Sequence, residues 1–117
     1  MPITQSAAWQ ELTARREALS SRHLRDLFAE DPNRFARFSL SVDGLLADFS
    51  KQRIDARTLD LLIELARSAD ITGWRERLFA GDKINTSENR AVMHPALRHL
   101  KLTPFPSPEN DVMPEVR

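Results

Sequence analysis

The sequence contains no cysteine, and its 117 residues carry no formal net charge, because 17 basic and 17 acidic side chains balance. Without cysteine the chain has no disulfide framework, thiolate metal site or cysteine nucleophile. Zero net charge argues against binding to a nucleic-acid backbone, which requires an excess of lysine and arginine. No stretch approaches the roughly 20 apolar residues of a membrane span, and residues 1–9 lack the pattern of a signal peptide. The composition is therefore compatible with a cytoplasmic protein of one domain's size, and it argues against a nucleic-acid or membrane partner.

Two helices are predicted in the first 33 residues. The first begins after Ser6, because one face repeats at three- and four-residue steps through Ala8, Trp9, Leu12, Arg16 and Leu19. A short second helix holds Leu24, Leu27 and Phe28 and ends at Asp31-Pro32-Asn33. Arginines cluster at positions 15, 16, 22 and 25, and the zero net charge favours a solvated helix face over a binding patch.

The periodicity becomes alternating at residue 38. Phe38, Leu40 and Val42 alternate with polar residues, which predicts a half-buried strand. Asp43-Gly44 suits a tight hairpin turn because both positions tolerate a positive φ, and residues 45–49 form the return strand. A lone hairpin is marginally stable in water. We therefore expect it to pack on helices, or on something that these residues do not contain.

Two further helices are predicted between residues 55 and 81. Asp55 is placed to cap the clearest amphipathic helix, which ends near Ser68 and has apolar positions at Leu59, Leu62, Ile63 and Ala66. Asp70 caps the next helix, whose apolar face holds Ile71, Trp74 and Leu78. Gly81 is predicted to end this helix in a left-handed conformation. The two tryptophans, Trp9 and Trp74, are interpreted as core residues rather than binding platforms.

Residues 81–98 contain the densest local signals. Asn85 stands three residues before Glu88, the N-cap and N3 spacing of a capping box, and apolar residues follow at positions 91–93. We therefore predict a helix that begins at residue 86. Pro95 disfavours the α conformation at His94, so this helix is expected to kink or end there. Beyond it, residues 100–103 are compatible with a short strand, and prolines at 104, 106 and 108 force an extended segment.

The histidines and carboxylates do not form a recognisable metal or catalytic pattern. His94 and His99 lie five residues apart, which does not place both on one helical face as a metal pair, and His23 is the third histidine. Glu88 is a candidate general base, but its position favours the role of capping partner.

Three basic residues, Lys83, Arg90 and Arg98, are candidate phosphate ligands near a predicted helix N-terminus. The loop has one glycine and matches no phosphate-cradling motif. Arg90 is interpreted as a structural ion-pair residue. The sequence therefore supports no assignment of a catalytic, substrate-binding or metal-binding residue.

Residues 81–98 resemble a signature of the phosphoglucose isomerase family, Gly-Glu-Lys-Ile-Asn-x-Thr-Glu-x-Arg-Ala-Val-Leu-His-x-Ala-Leu-Arg. Asp82 and Met93 are mild replacements, Ser87 stands where the family usually has threonine, and Pro95 departs from the pattern. The matching positions are Gly81, Lys83, Ile84, Asn85, Glu88, Arg90, Ala91, Val92, His94, Ala96, Leu97 and Arg98. Further similar segments occur in family order at Phe38-Ser39, at Asp48-Phe49-Ser50-Lys51-Gln52-Arg53-Ile54 and at Asp111-Val112-Met113-Pro114-Glu115-Val116. The last of these lacks the preceding glycine usual in the family.

The resemblance implies an isomerase of glycolysis and gluconeogenesis that interconverts glucose 6-phosphate and fructose 6-phosphate. The family uses acid–base catalysis through an enediolate, without a metal or organic cofactor, in a homodimer. Its phosphate loop, its ring-opening histidine and lysine, its arginine and its glutamate base lie in later segments, and none has a counterpart in residues 1–117. The predicted fold class is an α-rich α+β fragment, several amphipathic helices plus one β-hairpin, of a larger α/β sugar-isomerase enzyme.

Two hypotheses follow for residues 1–117. The first is the N-terminal helical and hairpin region of such an isomerase, structural and inactive alone, with the rest of the chain, a second subunit and a sugar phosphate as partners. Pro114 is placed to open a helix, yet the sequence stops barely one turn later, so we expect a truncated chain without its catalytic domains. The alternative is a free-standing, non-catalytic helical interaction module. A reading frame that stops after Arg117 would favour the module, and one that continues into a phosphate loop would favour the isomerase.

Overall fold

The computed structural model describes residues 2–101, 103–107 and 110–116, and the chain forms two compact units, Met1–Ser68 and Ala69–Arg117. Across these described residues, helices are combined with one antiparallel pair of strands. The structure therefore confirms the predicted α-rich composition with a β-hairpin. In the described part of the chain, no helix combines the length and apolar character that a membrane crossing requires.

The first unit begins with a 3₁₀ turn, Ile3–Gln5, and helix α1, Ala7–Ser20. Ser6 caps α1 as predicted, because its Oγ accepts the N–H of Trp9 at 3.2 Å. The less exposed face of α1 holds Ala8, Leu12, Arg15 and Leu19. The prediction that Trp9 and Arg16 belong to this face is wrong. Both are exposed and lie on its flank, because steps of four, three and four residues from Ala8 lead through Leu12 and Arg15 to Leu19.

Helices α2, Leu24–Glu30, and α3, Arg34–Arg37, lead into strands β1, Ser39–Val42, and β2, Leu45–Asp48. The strands pair with Leu40 opposite Ala47 and Val42 opposite Leu45. The turn has positive φ at Asp43 and Gly44, as predicted. The predicted half-burial is wrong, however, because Leu40, Val42 and Leu45 are 65%, 66% and 74% exposed. Burial is confined to the base of the hairpin, at Phe38 and part of Phe49.

Helix α4, Ala56–Ser68, packs against α1. Asp55 caps α4 as predicted, since its Oδ1 accepts the N–H and the hydroxyl of Thr58 at 2.9 and 2.7 Å. Glu11 of α1 pairs with Arg57 of α4 at 2.7 Å, and Arg15 of α1 pairs with the capping residue Asp55. The side chains that α4 buries are Thr58 and Leu61, whereas the predicted apolar positions Leu62 and Ile63 are each 42% exposed.

The second unit begins with helix α5, Ile71–Ala80, capped by the Asp70 carboxylate. The helix ends as predicted at Gly81, whose φ is 77°. The N–H groups of Gly81 and Asp82 donate to the carbonyls of Leu78 and Arg77, the paired bonds of a Schellman motif. The predicted core role of Trp74 is wrong, because this side chain is 39% exposed with the Arg77 guanidinium stacked 3.9 Å from its ring centroid.

The core of the second unit consists of Ala96, Phe105 and Met113, with Met93, Val112 and Val116 packed against it. Ala96 belongs to a 3₁₀ turn, His94–Arg98, and Met113 opens helix α6, Met113–Val116. This one-turn helix forms although a helix so short is not expected to hold by itself, because Met113 is 1% exposed and thus anchored. The described residues at positions 100, 101 and 103 do not form the strand suggested there, and position 102 lies outside the described residues.

Candidate functional site

The segment between Gly81 and Arg98 is the first candidate site, and the helix predicted from residue 86 is wrong. Residues 86–89 form a turn instead, closed by Asn85 and Arg90, each of which donates its N–H to the other's carbonyl at 3.1 Å. Asn89 has φ 53° in this turn. The Asn85 carbonyl therefore accepts the N–H of Arg90, five residues later. In an α-helix it would accept the N–H of Asn89, four residues later.

The predicted side-chain pair of this segment does form. The N–H of Glu88 donates to Asn85 Oδ1 at 3.3 Å, and Asn85 Nδ2 donates to Glu88 Oε2 at 2.9 Å. Glu88 thus acts as the partner of Asn85, as predicted, but it stabilises a turn rather than a helix N-terminus. Pro95 lies in the first turn of the 3₁₀ segment at His94, a position where its missing N–H and fixed φ are tolerated.

An open groove of about 420 Å³ lies beside this turn. Asn85, Glu88, Arg90 and His94 supply its polar part, and Met93 belongs to its apolar part. The Glu88 carboxylate is engaged by the Asn85 amide, so this arrangement provides a folded turn next to an apolar surface.

The three histidines are separate in the structure. His23 caps α2, because its Nδ1 accepts the N–H of Arg25 at 3.1 Å. His94 is exposed, and His99 packs edge-on against Phe105 at 5.5 Å between ring centroids. Within the ranges that the structure describes, no group of three or more histidine, aspartate or glutamate side chains is arranged to hold a metal ion.

The candidate phosphate ligands Lys83, Arg90 and Arg98 are all exposed. Arg90 lines the groove beside the turn, whereas Arg98 lines another groove of about 380 Å³ with Leu78 and Phe105. Arg90 and Arg98 therefore line different grooves. Arg90 forms no ion pair with any described residue, so its ion-pair role stays a prediction.

A buried arginine in the first unit is the polar site that sequence reasoning missed. Arg34 is 2% exposed, and its Nε and Nη2 donate to the carbonyls of Ser50 and Gln52, each at 2.8 Å. Its guanidinium also lies over Phe38, 4.6 Å from the ring centroid. Burial lowers the pKa of Arg34, and the nearby Asp31 carboxylate opposes this shift. No sequence pattern distinguishes Arg34 from the other arginines, because backbone carbonyls are available at every position.

The carbonyls that hold Arg34 belong to a tight turn, residues 48–52, that we call the Asp48 turn. Asp48 Oδ1 accepts the Ser50 hydroxyl at 2.6 Å and the Ser50 N–H at 2.9 Å, and Lys51 Nζ donates to Oδ2 at 3.2 Å. The bonds from Ser50, followed by that from Lys51, lower the pKa of Asp48 to about 2. These bonds favour the ionised carboxylate, which fixes the turn between β2 and α4.

Comparison with known proteins relates both turns to one family. A model of phosphoglucose isomerase matches residues 48–117, a range that includes the Asp48 turn and the Asn85–Arg90 turn. The chain is 51% identical over 96 residues to glucose-6-phosphate isomerase 2 of Chromobacterium violaceum. These aligned residues cover 82% of this chain and 18% of that protein. It is 52% identical over 102 residues to the glucose-6-phosphate isomerase of Pseudoalteromonas translucida, and this alignment covers 87% of this chain and 19% of that protein.

The chain is 47% identical over 115 residues to the glucose-6-phosphate isomerase of Gloeobacter violaceus. This alignment covers 98% of this chain and 21% of that protein. The chain therefore spans about a fifth of the length of these relatives. The similarity extends along most of the chain and includes both turns. On this evidence, the chain belongs to the phosphoglucose isomerase family.

Proposed function

We propose that residues 1–117 are the N-terminal helical and hairpin segment of an enzyme that interconverts glucose 6-phosphate and fructose 6-phosphate. The supporting observation is identity of 47–52%, over most of this chain, to proteins named glucose-6-phosphate isomerase. Such an isomerisation moves a proton between neighbouring carbons through an enediolate, which requires a carboxylate base and a bound sugar phosphate.

The contacts of the polar groups support a structural role for this segment. Glu88 is bonded to Asn85, Asp48 to Ser50 and Lys51, and Arg34 to two backbone carbonyls. These groups therefore stabilise the chain's own turns. We assign no catalytic, substrate-binding or metal-binding residue to residues 1–117.

In this proposal, the groups that perform the chemistry belong to α/β domains of sugar-isomerase type in the remaining four-fifths of a full-length relative. The complete enzyme would be a cytoplasmic homodimer of glycolysis and gluconeogenesis that needs no cofactor. The segment described here would hold those domains in place.

A chimaeric enzyme tests the proposal. In it, residues 1–117 replace the matching segment of the Gloeobacter violaceus isomerase, the relative that matches 98% of this chain. We expect kcat/KM for fructose 6-phosphate within about tenfold of the parent enzyme, a difference of less than about 1.4 kcal/mol. The free 117-residue chain should show no turnover in the same coupled assay.

The parent enzyme with its matching segment deleted is the control, and it should be inactive. A folded but inactive chimaera would contradict the proposed function. Turnover by the free chain would contradict the assignment of all catalytic groups to the remaining part of the enzyme.

A further inference from the structure

One face of the β1–β2 hairpin exposes a patch of aliphatic side chains. Residues directly opposite each other in an antiparallel pair lie on the same face, and successive residues alternate between faces. The observed register therefore places Leu40, Val42, Leu45 and Ala47 together. Leu40, Val42 and Leu45, which we call the hairpin patch, are at least 65% exposed. No charged side chain lies on this face of the paired strands.

The hairpin is anchored at its base. Phe38 is 1% exposed and packs edge-on against Phe49 at 6.0 Å between ring centroids. The Phe49 N–H also donates to the Phe38 carbonyl at 2.9 Å, one step beyond the paired strands. The anchored base fixes the orientation of the strands, so the hairpin patch is presented as a defined surface. A two-stranded sheet with its apolar face in water is marginally stable, which favours a covering partner.

We propose that the hairpin patch is a docking surface for an apolar, uncharged face within the remaining four-fifths of the same isomerase polypeptide. This inference rests on the proposed function. The Gloeobacter relative matches 115 residues, so its matched region includes the hairpin within a protein about five times as long. The chemistry of the patch, three aliphatic side chains without a charge, fits aliphatic or aromatic side chains of a helix or sheet face.

The size of the patch favours a covalently linked partner over a second copy of the chain. A stable interface between separate molecules buries about 800 Å² on each partner. Three side chains on four-residue strands fall far below that area. Contact within one polypeptide does not require it, because linkage makes the association intramolecular.

The test places Leu40→Gln/Leu45→Gln in the chimaeric enzyme and in the free 117-residue chain. The matched control is Ser41→Gln, which lies on β1 but on the opposite face. We expect the double variant to lower the melting temperature of the chimaera by about 5 °C, because it would bury polar groups without partners. In the free chain, where both leucines are already exposed, the melting temperature should change by less than about 1 °C. The control should leave both proteins unchanged.

Three outcomes would overturn the inference. Equal melting temperatures of the double variant and the unmodified chimaera would show that the patch is uncovered in an otherwise functional enzyme. A concentration-dependent dimer of the free chain, lost in the double variant by analytical ultracentrifugation, would identify a second copy as the occupant. An unmodified chimaera that folds without activity would remove the proposed function, and with it the inference. Its activity is measured first, so the two failures are distinguishable.

Discussion

Two features of the structure oppose a side chain at position 81: the backbone conformation and the closeness of the chain at Pro106. The Gly81 φ of 77° lies in the left-handed region, and a Cβ at this position would overlap the Pro106 carbonyl oxygen and lie 2.6 Å from the carbonyl carbon. Gly44 has nearly the same φ, 81°, but nothing lies within 4 Å of a Cβ built there. The two glycines therefore separate the conformational cost of a side chain from its steric cost.

We predict that Gly44→Ala lowers the free energy of unfolding by about 1 kcal/mol, which is the cost of a left-handed alanine. Gly81→Ala should cost at least about 3 kcal/mol, because the backbone at Pro106 must also move. Urea unfolding followed by circular dichroism measures both changes. An equal loss of unfolding free energy in the two variants would contradict this prediction, because it would show that the backbone at Pro106 moves at no energetic cost.

Sequence reasoning found Gly81 but not Arg34, and the difference has a physical cause. Gly81 follows a helical pattern, and a helix end requires a residue that accepts a positive φ, so the signal is local. The partners of Arg34 are the carbonyls of Ser50 and Gln52, 16 and 18 residues away. Such a contact depends on how the chain folds back, and the identity of the acceptor residues does not encode it.

At the scale of elements, residues 85–90 show that one set of side-chain bonds is compatible with two structures. The Asn85–Glu88 pair was predicted and forms, yet the helix does not. The backbone bond from Arg90 to Asn85 and the left-handed Asn89 turn the chain back instead. A capping-box spacing specifies local hydrogen bonds, and it does not specify how the backbone continues.

The hairpin shows a related difference between pairing and burial. Its turn and register were predictable, because Asp43-Gly44 and the alternating pattern act locally. The exposure of Leu40 and Val42 could not be predicted in the same way, because it depends on whether another surface covers that face.

The Asp48 turn should lose stability in acid. The pKa of the Asp48 carboxyl is lowered to about 2 in the folded chain, from about 3.9 in an unfolded chain. A lowered pKa means that ionised Asp48 stabilises the fold above pH 3.9, and that this contribution disappears as the pH falls through about 2. We predict that Asp48→Asn is less stable than the unmodified chain at pH 7, and that most of this difference is lost by pH 2. Denaturant unfolding at pH 7, 4, 3 and 2 measures this difference.

The variant Lys51→Met separates the contributions to this pH dependence. It removes the Lys51 bond but leaves the two bonds from Ser50, which are the larger causes of the lowered pKa. It should therefore keep most of the acid sensitivity. A stability difference between the unmodified chain and Asp48→Asn that is constant from pH 7 to pH 2 would contradict this account.

At the scale of the whole molecule, exposed large apolar side chains outnumber buried apolar ones in the part of the chain that the structure describes. Among the described residues, seven apolar side chains are buried: Leu19, Leu27, Phe38, Leu61, Ala96, Phe105 and Met113. Fifteen large apolar side chains are exposed in the same residues, Leu45 and Leu100 among them. Each core is therefore small, and each unit leaves apolar surface in water. This distribution is the one expected of a segment that packs against further protein.

The final prediction compares local stability in the free chain and in the chimaeric enzyme. Leu61 of α4 is fully buried, and the Ala96 N–H donates to the Met93 carbonyl at 2.9 Å in the core of the second unit. In the free chain these small cores should open often, and their amides should exchange with deuterium at least about a hundredfold faster than in the chimaera. Hydrogen exchange with mass spectrometry of peptides containing Leu61 and Ala96 measures the ratio. Equal protection would show that the segment needs no covering domains, as the interaction-module hypothesis requires, because each core would then be stable by itself.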